Sequence, residues 1–153
     1  KLVAPTPYSS DVFGWSVSMS DNGLYAIVGV PEDSGGVAHV FIRSGTTWTH
    51  QQELTPTLGN VGANDQFGHS VSISNDGTRA LIGANREGSQ YYGAGYVFDR
   101  SGTSWTLDMK LSDPNQLQTD YLGSSAAISG DGKYFALGAI YDDAGEFERV
   151  AKN

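Results

Sequence analysis

The sequence predicts an all-β chain in which one four-stranded antiparallel unit is used twice and then begun a third time. Three observations carry the prediction: short runs in which apolar and polar residues alternate, Asx-Gly and Gly turns between those runs, and anchors that return at a fixed interval. The chain has 153 residues, 39% of them hydrophobic and 11% aromatic, enough for a packed core, and no helical periodicity extends beyond about a dozen residues.

Phe13-Gly14 returns as Phe67-Gly68 and, in degenerate form, as Leu122-Gly123, at shifts of 54 and 55 residues. The turn glycines Gly23, Gly77 and Gly132 keep this register, as do Gly29, Gly83 and Gly138 at the end of an apolar run. Arg43-Ser44-Gly45-Thr46 before Trp48-Thr49 returns as Arg100-Ser101-Gly102-Thr103 before Trp105-Thr106 at a shift of 57, which places an insertion, Asn85 to Tyr92, in the second unit.

The first strand of each unit alternates strictly. Trp15, Val17 and Met19 oppose Ser16, Ser18 and Ser20; His69, Val71 and Ile73 oppose Ser70, Ser72 and Ser74, and small serines suit a crowded innermost strand. Asp21-Asn22-Gly23 and Asn75-Asp76-Gly77 tolerate the positive φ of a tight hairpin. The second strand (Ala26-Ile27-Val28, Ala80-Leu81-Ile82, Phe135-Ala136-Leu137) is apolar on both faces, as expected of a strand held between neighbouring sheets. A third strand is expected over Val37 to Ile42 and Ala94 to Asp99, and a mostly polar fourth over Trp48 to Leu54 and Trp105 to Leu111, so polarity rises outward. Four short antiparallel strands every fifty-odd residues describe a β-propeller blade.

These residues, Phe-Gly before an alternating strand, a Gly turn, a second strand ending in Gly29-Val30-Pro31, Gly83-Ala84 or Gly138-Ala139, and a Gly-rich loop before Val-Phe, resemble the FG-GAP repeats of integrin α-chain heads and of microbial surface proteins over residues 13–140. The resemblance implies an incomplete propeller of about three blades per chain. Residues 1–12 hold the end of an outer strand and a linker, 13–66 the first blade, 67–121 the second and 122–153 a partial third. Blades of this family often carry a calcium loop between their first two strands, but the turns here supply one or two oxygen donors each and read as plain turns. The Gly45 to Trp48 and Gly102 to Trp105 segments resemble an Asp-box, with Arg43 and Arg100 where that motif has aspartate, and so read as turns followed by packing tryptophans.

The net charge of −8, with nine Lys/Arg scattered singly, offers no basic patch for nucleic acid. No apolar run approaches the roughly 18 residues of a membrane span, and without cysteine there is neither a disulfide nor a thiolate metal site. The start at Lys1 reads as a processed product or an excerpt and favours an extracellular or particle-surface location.

His39, His50 and His69 fall on three predicted strands without metal-ligand spacing, and no metal or cofactor is expected. Glu32-Asp33 and Asp142-Asp143 occupy equivalent loops, as solvated acidic turns or as a cation-attracting rim. Arg86, Gln90, Tyr91 and Tyr92, in the loop only the second unit enlarges, are the candidate recognition residues for a protein or glycan; the alternative is that both tyrosines fold back over the blade edge. No catalytic triad, nucleophile elbow or phosphate loop is present, so no enzyme activity is expected.

The third unit stops before its Trp-bearing outer strand, and its tail, Glu146 to Lys152, reads as a degraded third strand or an amphipathic helical turn or two. Lys1-Leu2 stands before Phe13 at the spacing of Lys110-Leu111 before Leu122, so residues 1–3 match the end of a fourth strand. Lys1, Leu2, Val3, Phe147 and Val150 are therefore the candidate assembly residues: either the chain is part of a longer propeller, or copies join head to tail as a ring or filament. The leading expectation is a non-enzymatic structural or adhesive module; the alternative is a glycan-binding propeller.

Overall fold

The structure is a computed structural model that describes residues 1–5, 12–32, 35–56, 62, 64–114, 119–141 and, by backbone, 148–151. Strands β1 (Ser16–Met19), β2 (Tyr25–Val30), β3 (Val37–Ser44) and β4 (Thr47–Leu54) form one sheet in that order. Strands β5 (Phe67–Ile73), β6 (Arg79–Ala84), β7 (Ala94–Ser101) and β8 (Ser104–Leu111) repeat it. The third sheet is β9 (Ser125–Ile128), β10 (Tyr134–Gly138) and β11 (Glu148–Ala151), in the order β9-β10-β11. All pairs are antiparallel, and no helix occurs among the described residues.

The third strands run two residues further than the sequence suggests. Ser44 pairs with Thr47 and Ser101 with Ser104, because Gly45 (φ 58°) and Gly102 (φ 61°) let the chain reverse in two residues. The tail takes the strand alternative: Val150 pairs with Phe135 in β11, while Phe147 lies outside the described residues. Residues 1–3, expected to match the end of a fourth strand whose own blade is absent, form no strand within this chain. A fourth strand is held by pairing with a third, and nothing described pairs with residues 1–3.

The sheets meet through repeated contacts that explain the repeated residues. The Ser16 hydroxyl donates to the Gly68 carbonyl (2.8 Å), and that of Ser70 to the Gly123 carbonyl (2.7 Å). Farther along, Ile73 N donates to Ser18 Oγ (3.2 Å) and Ile128 N to Ser72 Oγ (3.1 Å). The serine face of each inner strand thus points at the next sheet. Gly29 and Gly83 make room for the same carbonyls: a Cβ there would fall 2.0 Å from Gly68 O and 2.2 Å from Gly123 O. Each Phe-Gly step is therefore a plug, and each Ser with its facing Gly a socket.

Between the first two sheets lies a core of Tyr25, Ile27, Val40, Leu54, Phe67, Ile82, Tyr96, Phe98 and Trp105. A second core, Leu81, Val97, Leu111, Leu122, Phe135 and Leu137, joins the second and third. Phe67, fully buried, packs edge-on against Tyr96 and Phe98 with centroids 5.4 and 6.1 Å away, and Phe13 meets Phe41 edge-on (6.1 Å) and His39 at a tilt (6.0 Å). Outside, the Gln52 side chain substitutes for strand pairing, donating to Trp105 O (2.9 Å) and accepting from Trp105 N (2.8 Å), while Trp105 Nε1 donates to Gln51 (2.9 Å).

Two flanks stay open. On the first sheet Trp15, Val17 and Met19 are 56%, 69% and 61% exposed. On the third, Ser125, Ala127 and Tyr134 face outward, and Ser125 with Gly138 forms a third socket in which, among the described residues, Gly138 meets only Ser125 within 4 Å.

Candidate functional site

The loop enlarged in the second unit is pinned by backbone to the segment before β9. Thr119 N donates to Gln90 O (2.9 Å), Tyr121 N to Tyr91 O (3.1 Å) and Leu122 N to Tyr92 O (3.0 Å). Tyr91 and Tyr121 both adopt left-handed backbone, φ 57° and 55°, a conformation that costs an L-residue about 1–2 kcal/mol. The Tyr91 ring stacks on Tyr121 (5.6 Å, 21°), and Tyr121 meets Tyr141 edge-on (5.4 Å). Tyr91 is 41% and Tyr141 64% exposed, with Ile140 exposed beside it. The three rings form a row across two sheets.

The four sequence-predicted recognition residues separate here. Tyr91 stays outside and joins the row; Tyr92 folds back, half-buried, its hydroxyl donating to Gln90 Oε1 (2.5 Å). Arg86 is exposed at the start of the loop. Tyr121 and Tyr141, which complete the row, carried no signal as a pair, since they lie on different repeat positions and only the stacking of sheets unites them. Of the assembly residues, Lys1 and Val3 are exposed and Leu2 is half-buried.

Sequence spacing missed two further clusters. Asp65 is buried, accepts from Gly62 N (2.6 Å), and is pushed above the usual carboxylate range chiefly by burial, with the nearby Glu87 carboxylate adding to it. Glu87 in turn accepts hydrogen bonds from the Tyr96 hydroxyl and from Lys110, and burial with Glu87 raises the Tyr96 hydroxyl. The histidines do fall on three strands, β3, β4 and β5, yet His39 Nδ1 and His50 Nε2 lie 3.1 Å apart across β3 and β4. A bulge between Val40 and Phe41 sets His39 opposite Glu53 and Phe41 opposite His50, a juxtaposition the strand spacing hides. No group of three or more possible metal ligands occurs among the described residues.

The turns expected to be plain are closed by their own acidic or amide side chains. Asp76 accepts from Thr78 N (2.9 Å), Thr78 Oγ1 (2.7 Å) and the Ser74 hydroxyl (2.8 Å). Burial alone would raise its carboxyl, but these hydrogen bonds outweigh it and hold the group below its ordinary range. Asn22 and Asp131 repeat the arrangement with Leu24 N and Lys133 N. Arg43 and Arg100 are structural as well: Arg100 donates to Gly77 O and Gly102 O (both 2.7 Å) and lies 4.2 Å over the Tyr25 ring. Glu32 of the acidic loops accepts from Gln66 Nε2 (2.9 Å); Asp33, Asp142 and Asp143 lie outside the described residues.

Comparison with known proteins agrees with this architecture. No curated protein matches the chain. Among solved structures, the chain is similar to Kuenenia stuttgartiensis hydrazine synthase, with 13% identity and a TM-score of 0.53, over 89% of this chain and 44% of that one. The chain thus spans less than half of that structure, and the likeness is one of fold. The FG-GAP repeat profile matches residues 1–41 and 48–98, more than half of the chain. With its sockets, its Phe-Gly plugs and these matches, the chain belongs to the FG-GAP repeat family and its sheets are blades of a β-propeller.

Proposed function

We propose that the chain is a non-enzymatic structural or adhesive module of an extracellular or particle surface, divided into blades at 13–66, 67–121 and 122–153, and extended by further blades of its own kind. The observation that supports this reading is the third socket. Gly138 and Ser125 reproduce the geometry that seats Gly68 against Gly29 and Ser16, while Gly14 (φ 96°), the equivalent plug, has none of the described residues within 4 Å of where its Cβ would stand. A plug on one flank and a socket on the other are complementary, so a second copy or the remainder of a longer chain fits there, and such a heterologous contact gives a ring or a filament. The unpaired edge of β11, which includes Val150, offers residues 1–3 of a neighbour a strand to join. Light scattering at neutral pH is expected to show multimers that Gly138→Val reduces to monomers. A fully stable monomer without the substitution sinks the reading.

The tyrosine row favours a second reading, recognition of glycan by stacking. Glycan-array binding abolished by Tyr91→Ala or Tyr141→Ala supports it, and binding that survives both substitutions rules the row out.

A further inference from the structure

Resting on the head-to-tail reading above, we propose that a second copy of this chain docks on the third sheet through its Arg43, whose guanidinium stacks on the Tyr134 ring, in a seam that opens on dilution.

The two seams inside the chain share one pattern. At the first, the Gly77 turn sits on the Tyr25 ring, so close that a Cβ would stand 2.5 Å from Tyr25 Cδ2, and Arg100 lies 4.2 Å over the same ring. At the second, Arg79 holds the place of Tyr25; Gly132 sits on its side chain and accepts from its Nη1 (2.8 Å). Tyr134 holds that place in the third sheet and is 51% exposed. The turn that would sit on it is that of Gly23, which keeps the register of Gly77 and Gly132.

Arg43 is already posed for this role. Its Nε donates to Gly23 O (2.6 Å) and its Nη1 to Gly45 O (2.8 Å), just as Arg100 donates to Gly77 O and Gly102 O (both 2.7 Å). The bonds that hold Arg100 over Tyr25 thus recur at Arg43, yet among the described residues Arg43 has no ring beneath it and Tyr134 no cation over it. The backbone continues the series. Asp21 N donates to Asn75 O (3.1 Å) and Asn75 N to Gly130 O (3.0 Å), so Gly130 N is the next donor, for Asp21 O of a second copy.

Two elements of the internal seams have no counterpart here. Ser18 and Ser72 accept from Ile73 N (3.2 Å) and Ile128 N (3.1 Å), but Ala127 stands in the third position and cannot accept. Gln52 clamps both backbone groups of Trp105, whereas the described residues of the third sheet include no fourth strand to do the same for Trp48. The seam between copies is therefore the weaker one, and it gives way first on dilution.

A dilution series of the intact chain, followed by light scattering, gives the dissociation constant of the multimer. Tyr134→Ala, a change at an exposed side chain, is expected to raise that constant about tenfold, and Tyr134→Phe, which keeps the ring, to leave it within about twofold. Arg43→Ala is expected to raise it to a similar degree, and the double variant Arg43→Ala/Tyr134→Ala no further than the larger single change, because both remove one contact. Additive losses in the double variant overturn the pairing. So does a multimer that Gly138→Val dissolves and Tyr134→Ala leaves at full strength, an outcome that spares the head-to-tail reading. A multimer undiminished by dilution overturns the weaker seam, and a chain monomeric at every concentration overturns the pairing and the head-to-tail reading together.

Discussion

Substituting Gly83 by alanine tests whether the repeated glycines exist to admit the next blade. The new methyl carbon would stand 2.2 Å from Gly123 O and 2.3 Å from Ser70 Oγ, with the Gly123 carbonyl carbon at 2.9 Å. Two of these atoms belong to the backbone of the neighbouring blade, which cannot yield without separating the inner strands. Overpacking of this kind costs about 1–3 kcal/mol. Displacing the carbonyl also weakens the Ser70 hydrogen bond, worth about 0.5–1.5 kcal/mol net. Together these come to about 2–4 kcal/mol, or roughly 5–15 °C in Tm for a domain of this size. Gly138→Ala is the control: it meets only the Ser125 side chain closely, at 2.3 Å, with the nearest backbone atom at 4.0 Å, so rotation of one hydroxyl accommodates it within about 0.5 kcal/mol. Thermal unfolding of both variants, monitored by tryptophan fluorescence, gives the comparison. In chain diluted until it is monomeric, where no neighbour fills the Gly138 socket, equal Tm losses for Gly83→Ala and Gly138→Ala would refute the plug-and-socket account, since the two then differ chiefly in the neighbouring carbonyl.

Other consequences follow from the same geometry. The His69 pKa is depressed in the folded chain, so its contribution to stability is complete above the unfolded value of 6.5 and is lost as pH falls below it; His69→Gln is expected to flatten the Tm-against-pH curve in that window. The Asp76 carboxyl, also depressed, acts lower: its contribution is present above 3.8 and disappears as pH falls through the folded value, and Asp76→Ala removes that acid-limb loss in the same measurement. Arg100→Ala breaks two hydrogen bonds to turn carbonyls and the contact with Tyr25, and is expected to cost about 1–3 kcal/mol in urea unfolding. At Tyr91 the left-handed backbone makes glycine more stable than alanine by about 1 kcal/mol, the reverse of the order in an ordinary strand, and denaturant midpoints of the two variants measure the sign.

Much of the fold was legible because it is local and repeated. Alternation in Ser16 to Met19 and in Phe67 to Ile73, the Asx-Gly turns, and the shared shifts of Phe-Gly and Gly29/Gly83/Gly138 report which residues face one another within a sheet and how often the sheet recurs. The enlarged loop of the second unit could be located for the same reason: an insertion stands out against a repeat. Tyr91 and Tyr92 are adjacent and alike in sequence, yet one turns outward and the other inward, because the positive φ at Tyr91 and the bond from Tyr92 to Gln90 are set by the pinned loop.

The sequence alone determined the period, the strands and the turn chemistry, all of which depend on neighbours within a few residues or on exact recurrence. The tertiary structure decided the contacts between distant residues, within a sheet and across sheets: the tyrosine row from three loops, the His39–His50 contact produced by a bulge, the burial of Asp65 beside Glu87, and the approach of Asn85 to Ser124. Residues from 11 to 39 positions apart meet in these clusters, and their meeting is set by a bulge or loop path within one sheet or by the stagger of one sheet on the next, which no pattern of residue types along a single strand encodes.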